Sequence, residues 1–357
     1  MPPPRRDFTQ LQGQLQDWFR IKFPDWGSVR VDNLRGPAET GYSSDTVVFE
    51  VFPGPASGRQ PKTLVAKLHP EGVTVFPEYD LERQYRLLEA LQALSTAPVP
   101  SVFSLELDPR FVGGVFYVMD FVSGRVPPDN PPYHTSGWLL DLDPGSRRQL
   151  WEEGIAAMAR VHRTRCTEAI RGLFPQPKPG SSFLDQQLED YRKFIDWGLD
   201  RSRYPLLSRA EEWLYRHQPR EEQVALCWGD ARFGNQIFRD GRCVALLDWE
   251  MARLGDPVQD LAWWWAIDRC FSEGLGVPRL DGLPTREATI RLWETQSTFS
   301  AKEFDYYEIL ALYKFTAIMA RVVRQLCFYE VLPADTTMDR DNLASAVLER
   351  ELDRRGG

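Results

Sequence analysis

The sequence has few of the features that mark disulfide-bonded, metal-binding or membrane-embedded chains. Its 5 cysteines lack Cys-x-x-Cys spacing and its 4 histidines lack partners at metal spacing, so we expect no disulfide framework and no zinc or iron site. The longest apolar runs, such as residues 261–267, fall well short of the ~20 residues that cross a bilayer. The chain also starts without the apolar core of a signal peptide. We therefore expect a cytoplasmic protein without a membrane partner.

The charge balance and the composition exclude two further classes. A net charge of -8 argues against a general nucleic-acid binder. Hydrophobic residues at 43% and charged residues at 26% are ordinary for a folded protein, so disorder is not expected. At 357 residues the chain is long enough for two lobes that each bury an apolar core, and we find no internal repeat.

The first third of the chain is predicted to form an α+β lobe. A leading helix is indicated over residues 8–23 by apolar positions at helical spacing. Five strand-like segments then begin at residues 29, 46, 63, 102 and 115. One helix, over residues 79–94, lies between the third and fourth of them. These patterns predict a five-stranded antiparallel sheet plus one helix, in a domain covering residues 1–122.

The remainder, residues 123–357, is predicted to be a mainly helical lobe. It starts with a proline-rich connection or lid over residues 125–145. A hairpin signal at Asp240-Gly241 interrupts the helical pattern between residues 224 and 250. Helices are predicted on either side of this hairpin, around residues 151–162, 184–195, 206–217, 261–271, 285–299 and 304–331.

The segment around this hairpin carries the chemistry. Asp230, Asn235 and Asp248 occur there in the order Asp-x4-Asn followed by an aspartate on a strand. Singly, each has a structural explanation as a strand end or a hairpin residue. Together they supply what phosphoryl transfer needs, which is a base beside the acceptor hydroxyl and oxygen ligands for magnesium.

The full motif is Trp-Gly-Asp-x4-Asn followed by Leu-Asp-Trp-Glu-x-Ala-x-x-Gly-Asp-Pro-x-x-Asp-Leu-Ala. It resembles the signature of the aminoglycoside phosphotransferase and choline-kinase superfamily. The resemblance implies a bilobal protein-kinase-like fold, with ATP as the donor, GTP as an alternative, and Mg. It implies that Asp230 is the catalytic base, that Asn235 and Asp248 are magnesium ligands, and that Arg232 is a cation near the transferring phosphate. Asp260 would tie the catalytic loop together and Asp256 would shape the turn before the next helix.

The resemblance also covers the first lobe, where fewer residues match the family pattern. It implies that Lys67 pairs with nucleotide phosphates, and that a glutamate on the following helix pairs with Lys67. The alignment puts Gln84 where glutamate is usual, and Glu82 faces elsewhere because two helical positions differ by about 200°. We leave the partner open between these two. Trp228 replaces a histidine that is usually a scaffold residue.

The loop between the first two strands lacks a Gly-x-Gly-x-x-Gly array. Gly41, Ser43 and Ser44 are the phosphate-binding candidates there, against the alternative of an ordinary turn. By the same resemblance, backbone groups of Asp120 and Val122 would meet the adenine base in the connection between the lobes.

The sequence indicates the acceptor less clearly than the other parts of the site. Aromatic and acidic groups on the 125–145 segment and the late helices suit a cationic small molecule such as an aminoglycoside, although acidic groups there are more often a solvated face. These groups are Tyr133, Trp138, Trp263, Trp264, Trp265, Tyr306, Tyr307, Asp268, Glu273, Glu303, Asp305 and Glu308.

Two alternatives stay open. One is a metabolic kinase for choline-like, sugar or hydroxyacyl-CoA acceptors, because the Leu-Asp-Trp-Glu-x-Ala form resembles a branch linked to acyl-CoA metabolism. The other is a pseudokinase that binds nucleotide without turnover, which the departures at Trp228 and Gln84 allow. We expect a monomer or a homodimer.

Overall fold

A computed structural model describes residues 6–36, 45–220 and 223–356. An antiparallel five-stranded sheet, in the order β1-β2-β3-β5-β4, forms the first part of the chain and confirms the predicted architecture. The strands are β1 (Arg30–Arg35), β2 (Asp45–Phe52), β3 (Lys62–Leu68), β4 (Val102–Glu106) and β5 (Phe116–Asp120), with α1 (Phe8–Lys22) before them and α2 (Leu81–Leu94) between β3 and β4.

The two faces of this sheet belong to different apolar clusters. Leu64 and Ala66 of β3 pack in the cluster that contains Trp18 of α1. Val65 belongs to the other cluster, which contains Leu88 of α2 and continues into the helical part. Because successive strand residues point to opposite faces, Lys67 lies on the Val65 face, toward the helical part.

The rest of the chain is mainly helical, as the sequence predicts. Its helices are α3 (Pro144–His162), α4 (Glu168–Arg171), α5 (Phe183–Gly198), α6 (Pro205–Arg216), α7 (Val258–Phe271), α8 (Arg286–Ser297), α9 (Phe304–Phe328) and α10 (Leu343–Arg354). The chain leaves the sheet after Asp120 and α3 begins at Pro144. The boundary between residues 122 and 123 stays a prediction.

Two small strand pairs interrupt the helices. β7 (Gln236–Arg239) and β8 (Arg242–Leu246) form the predicted hairpin. Asp240 and Gly241 have φ of 51° and 73°, which suits the tight turn between them. β6 (Ala225–Cys227) pairs with β9 (Arg253–Gly255), a contact the sequence did not predict because each strand has only 3 residues.

Two helices were also missed by the sequence patterns. α4 has only 4 residues, too few for a periodic pattern. α10 was also not predicted, although it begins with a capping box in which Asn342 and Ser345 bond reciprocally. In the described part of the chain, no helix has the length and apolar character needed to cross a membrane.

Candidate active site

The candidate catalytic loop connects β6 to β7 and depends on a glycine. Gly229 has φ of +92°, and a Cβ there would lie 2.1 Å from the carbonyl oxygen of Met251. A side chain at this position would therefore clash with the backbone that follows β8. The close approach brings the loop that carries Asp230 against the segment that carries Asp248.

A buried carboxylate holds the start of this loop. Asp260 accepts hydrogen bonds from the backbone N–H groups of Trp228 and Gly229, at 2.6 and 2.9 Å. The Nε2 atom of His162 lies 2.9 Å from the same carboxylate, and the Trp293 indole donates to Nδ1. Because Nδ1 accepts, the proton of a neutral His162 lies on Nε2, which donates to Asp260. This is the contact pattern that the expected structural role of Asp260 requires.

Two further residues support the loop. The indole of Trp228 donates to the carbonyl oxygen of Leu247 at 2.7 Å, so the residue that replaces the usual histidine joins the loop to the end of β8. Asp256 is 2% exposed and accepts from the backbone N–H of Val258 and Gln223. These contacts place Asp256 in the turn before α7.

Asp230 lies at the centre of the loop with donors on both carboxylate oxygens. Asn235 Nδ2 donates to Oδ2 at 2.7 Å, and the Trp263 indole donates to Oδ1 at 2.8 Å. Burial raises the pKa of Asp230 to about 7, the nearby charge of Asp248 adds to this rise, and the two hydrogen bonds oppose it. A carboxylate with a pKa near neutrality suits general-base work.

Trp263 is the partner of Asp230 that sequence reasoning did not single out. Trp263, Trp264 and Trp265 are all buried. Three successive tryptophans on a helix indicate packing, and nothing in that pattern shows which indole N–H reaches the catalytic loop.

Lys67 and Asp248 meet in the cleft between the sheet and the hairpin. Their Nζ and Oδ1 atoms are 2.5 Å apart, and Asp248 has φ of 53°. Burial favours the uncharged forms of both groups, but their mutual attraction outweighs it. The pKa of Lys67 is therefore raised and that of Asp248 is lowered, so both are charged at neutral pH.

The helix residues proposed as partners of Lys67 lie in different surroundings. Gln84 is 4% exposed and accepts a hydrogen bond from the hydroxyl of Tyr117, which is opposite Lys67 in the β3–β5 pairing. Glu82 is exposed and lies 3.6 Å from Arg86 on the same helix. The Glu82 alternative is therefore wrong, because that side chain points to solvent.

Arg232 lies beside Asp230. Its Nε is 3.2 and 3.1 Å from the two carboxylate oxygens of Asp230, and it forms an ion pair with Asp129 in the 125–145 segment. The pKa of Arg232 is lowered by burial. Arg232 also lines the cavity that contains Lys67 and Asp248, so its position fits a cation near a transferring phosphate.

That cavity has a volume of about 660 Å³ and lies between the sheet and the hairpin. Asp120 and Val122 line it, as expected for the connection between the lobes. The N–H of Asp120 donates to the carbonyl oxygen of Ser101, so this N–H is not available to an adenine base. Gly41, Ser43 and Ser44 fall outside the described residues. Apolar side chains also line the cavity, namely Val48, Val65, Leu88, Met119, Ile237 and Leu246.

The site fits a magnesium ion that arrives with a nucleotide. Asn235 and Asp248 each offer a side-chain oxygen beside the loop. Within residues 6–36, 45–220 and 223–356, no group of three His, Cys, Asp or Glu side chains could hold a metal by itself. Magnesium commonly takes only one or two protein carboxylates and completes its shell with phosphate oxygens and water.

The acidic groups expected near the acceptor are only partly solvated. Asp268 is 1% exposed and bonds to Tyr133 at 2.6 Å and to Arg279 at 2.5 Å. Glu308 is also 1% exposed and bonds to Arg269 at 2.7 Å. The interpretation as a solvated face is therefore wrong for Asp268 and Glu308, because each is buried and paired with an arginine. Glu273, Glu303 and Asp305 do reach solvent, and Asp305 pairs with Arg286 and Arg355.

The sheet, the cleft and the catalytic loop together define a protein-kinase-like fold. The chain belongs to the phosphotransferase enzyme family, whose model matches residues 37–292.

Solved structures share this fold over nearly the whole chain. A candidate aminoglycoside phosphotransferase from Ralstonia eutropha JMP134 is 22% identical with a TM-score of 0.66, covering 95% of each chain. A thermostable mutant of the aminoglycoside phosphotransferase APH(4)-Ia, in complex with AMP-PNP and hygromycin B, is 14% identical with a TM-score of 0.55, covering 96% of this chain and 97% of that one. A choline/ethanolamine kinase family protein from Mesorhizobium loti is 14% identical with a TM-score of 0.53, covering 96% and 95%.

Curated relatives have a different kind of name. Acyl-CoA dehydrogenase family member 10 of Mus musculus is 28% identical over 204 residues, which are 57% of this chain and 18% of that protein. Acyl-CoA dehydrogenase family member 11 of Homo sapiens is 25% identical over 237 residues, which are 62% of this chain and 29% of that protein. The chain therefore spans less than a third of the length of these relatives.

Proposed function

We propose that this protein is a small-molecule kinase that transfers the terminal phosphoryl group of Mg·ATP, with GTP as an alternative donor, to a hydroxyl group. One observation carries the proposal. Asp230, with a pKa near neutrality, adjoins the cleft in which Lys67 and Asp248 form a charged pair. Arg232, which contacts Asp230, lines this cavity together with Lys67 and Asp248, and this arrangement supports a base, cations and a metal-binding oxygen acting on one nucleotide.

Each residue has a role that follows from its position. The Asp230 carboxylate accepts the proton of the acceptor hydroxyl as the new O–P bond forms and the bond to the leaving diphosphate breaks. Lys67 neutralises charge on the nucleotide phosphates, while Asn235 and Asp248 hold magnesium, which supplies further positive charge there. Arg232 stabilises the phosphoryl group in transfer.

The nature of the acceptor divides the alternatives. Two of the acidic residues expected to bind a cationic acceptor, Asp268 and Glu308, are instead paired with arginines, which weakens the cationic-acceptor interpretation. Curated relatives are named as acyl-CoA dehydrogenase family members, which supports a metabolic acceptor such as a hydroxyacyl-CoA over an aminoglycoside. The presence of Asp230, Asn235 and Asp248 in one site counts against a pseudokinase.

The test is an acceptor screen that follows ADP release by purified protein with Mg·ATP. Candidates are hydroxy acids, their CoA thioesters, choline, sugars and aminoglycosides. We expect ADP release that depends on one acceptor class and disappears in Asp230→Asn, while that variant still binds nucleotide. Nucleotide binding without turnover of any acceptor would favour the pseudokinase instead.

A further inference from the structure

A second cavity lies on the other side of the segment that carries Asp248. Asp248 lines the nucleotide cavity, whereas Glu250, two residues later, lines this one. Its volume is about 250 Å³, below the usual range for drug-sized ligands of roughly 300 to 1,000 Å³. It therefore suits a compact molecule, or one end of a larger molecule. Its walls combine charged and polar side chains with aromatic ones, which include Phe76, Phe174, Phe183, Tyr191 and Phe194.

Lys314 of α9 lines this cavity without a hydrogen-bonding partner. Its side chain is 3% exposed, and the described residues offer its ammonium group neither a hydrogen bond nor an ion pair. Its contacts are with two rings, at 5.3 Å from the centroid of Tyr191 and 4.8 Å from that of Trp263. Cation–π contacts return only ~0.5 to 2 kcal/mol, less than the several kcal/mol that burying an ammonium group costs.

A second cation adjoins Lys314 in the same wall. Arg253 of β9 lowers the pKa of Lys314 through charge repulsion, after the larger effect of burial. Arg253 donates through Nη2 to Asp190 at 3.4 Å, but its buried Nε has no hydrogen-bond partner. Two neighbouring cations, one without a carboxylate partner, make this wall complementary to a negatively charged oxygen.

The remaining acids of the cavity wall do not cancel this charge at Lys314. Asp80 is used as the N-cap of α2, and Asp190 lies against Arg253. Glu78 is exposed at the surface, and Glu250 belongs to the wall next to Asp248.

Trp263 connects this cation to the catalytic base. Its indole N–H donates to Asp230, and its ring lies against the ammonium group of Lys314. Lys314 and Asp230 thus contact the same indole, and a molecule bound through an oxygen at Lys314 would extend past this ring toward Asp230. The aromatic walls suit the apolar carbons between the two ends.

We propose that this cavity is the acceptor site and that Lys314, assisted by Arg253, binds the carboxyl-type oxygen of a hydroxy-acid acceptor. The inference rests on the proposed kinase function and specifies its substrate class. A free hydroxy acid presents a carboxylate oxygen there, and its thioester presents a neutral carbonyl oxygen that accepts a hydrogen bond from the ammonium group. In either case the hydroxyl proton passes to Asp230, the hydroxyl oxygen bonds to the terminal phosphorus, and ADP leaves.

The experiment compares three acceptor types on wild type and on Lys314→Met. The acceptors are hydroxybutyrate and hydroxyhexanoate, their CoA thioesters, and the neutral alcohols butanol and hexanol. We expect the KM of the preferred hydroxy acid or thioester to rise about 10- to 100-fold in Lys314→Met. The KM values for ATP and for the neutral alcohols stay unchanged, and Lys314→Arg restores part of the loss. The matched control is Lys302→Met, whose side chain is 80% exposed.

Two outcomes would overturn the site. One is an equal effect of Lys314→Met on charged and neutral acceptors, and the other is a best acceptor that is a polycation such as hygromycin B. Calorimetry with butyrate, hexanoate and their CoA thioesters, which lack the hydroxyl, separates this site from the kinase proposal. Binding that is lost in Lys314→Met without turnover of any acceptor would refute the kinase proposal and leave the site standing. Turnover that is unaffected by Lys314→Met would refute the site and leave the kinase proposal standing.

Discussion

Lys67 and Asp248 are 181 residues apart in the chain, yet their Nζ and Oδ1 atoms lie 2.5 Å apart. One residue comes from the central strand of the sheet and the other from the segment after the hairpin, so the pair joins the two parts of the chain at the cleft between the sheet and the hairpin. Each keeps the other charged in a buried setting.

Asp248→Asn is expected to weaken binding of Mg·ATP by at least about tenfold, because a neutral amide is a poorer magnesium ligand and leaves the phosphate charge less compensated. Isothermal calorimetry with and without magnesium measures this. Binding of metal-free ADP should change much less. Equal affinity of wild type and variant for Mg·ATP would remove Asp248 from the metal site.

Asp230→Asn is expected to lower turnover by about 10²- to 10⁴-fold while nucleotide binding is retained, because the amide cannot accept the hydroxyl proton. Steady-state ADP release and nucleotide calorimetry separate the two effects. Asp129→Asn is the comparison, since Asp129 contacts the neighbouring Arg232. It should reduce turnover far less. Undiminished turnover in Asp230→Asn would exclude Asp230 as the base.

Gly229→Ala is expected to destabilise the protein by about 2 to 4 kcal/mol, because the new Cβ would meet the Met251 carbonyl oxygen in a left-handed backbone. Gly276→Ala is the matched control. Gly276 has a similar positive φ of +67° but has open space around it, so only about 1 kcal/mol of backbone strain is expected. Denaturant unfolding of both variants measures the difference. Similar losses would mean that the contact with Met251 is not what requires glycine.

Lys314→Met is expected to stabilise the protein at pH 7 by about 1 to 3 kcal/mol, because it removes a buried charge without a hydrogen-bonding partner. The pKa of Lys314 is lowered to about 8 by burial and then by Arg253, against the opposing charges of Asp260 and Asp230. Between this pKa and the ordinary value of 10.5, the unfolded chain binds more protons than the folded one, so the stability of wild type rises with pH.

The stability gap between wild type and Lys314→Met should therefore close as the pH rises from about 8 toward 10. In the same range, the KM of an anionic acceptor should rise for wild type, since the ammonium group loses its proton. Thermal melts and initial rates across this range check both effects. A variant less stable than wild type at pH 7 would indicate that Lys314 supports the fold.

The sequence by itself determined the architecture and the catalytic loop. Strand and helix patterns repeat every two or 3.6 residues, so they are visible in short windows, and they predicted the sheet and its inserted helix. Asp230, Asn235 and Asp248 lie within one local segment, which is why a resemblance could propose a role for each of them, and these roles stay predictions.

Only the tertiary structure decided which side chains meet across elements. It placed Gln84 on the inner face of α2 and Glu82 in solvent, and it buried Asp268 against Arg279. It also left Lys314 beside two rings and without an ion-pair partner among the described residues. A local pattern shows which face of an element is apolar, whereas the charge that a buried group meets depends on packing between segments far apart in the chain.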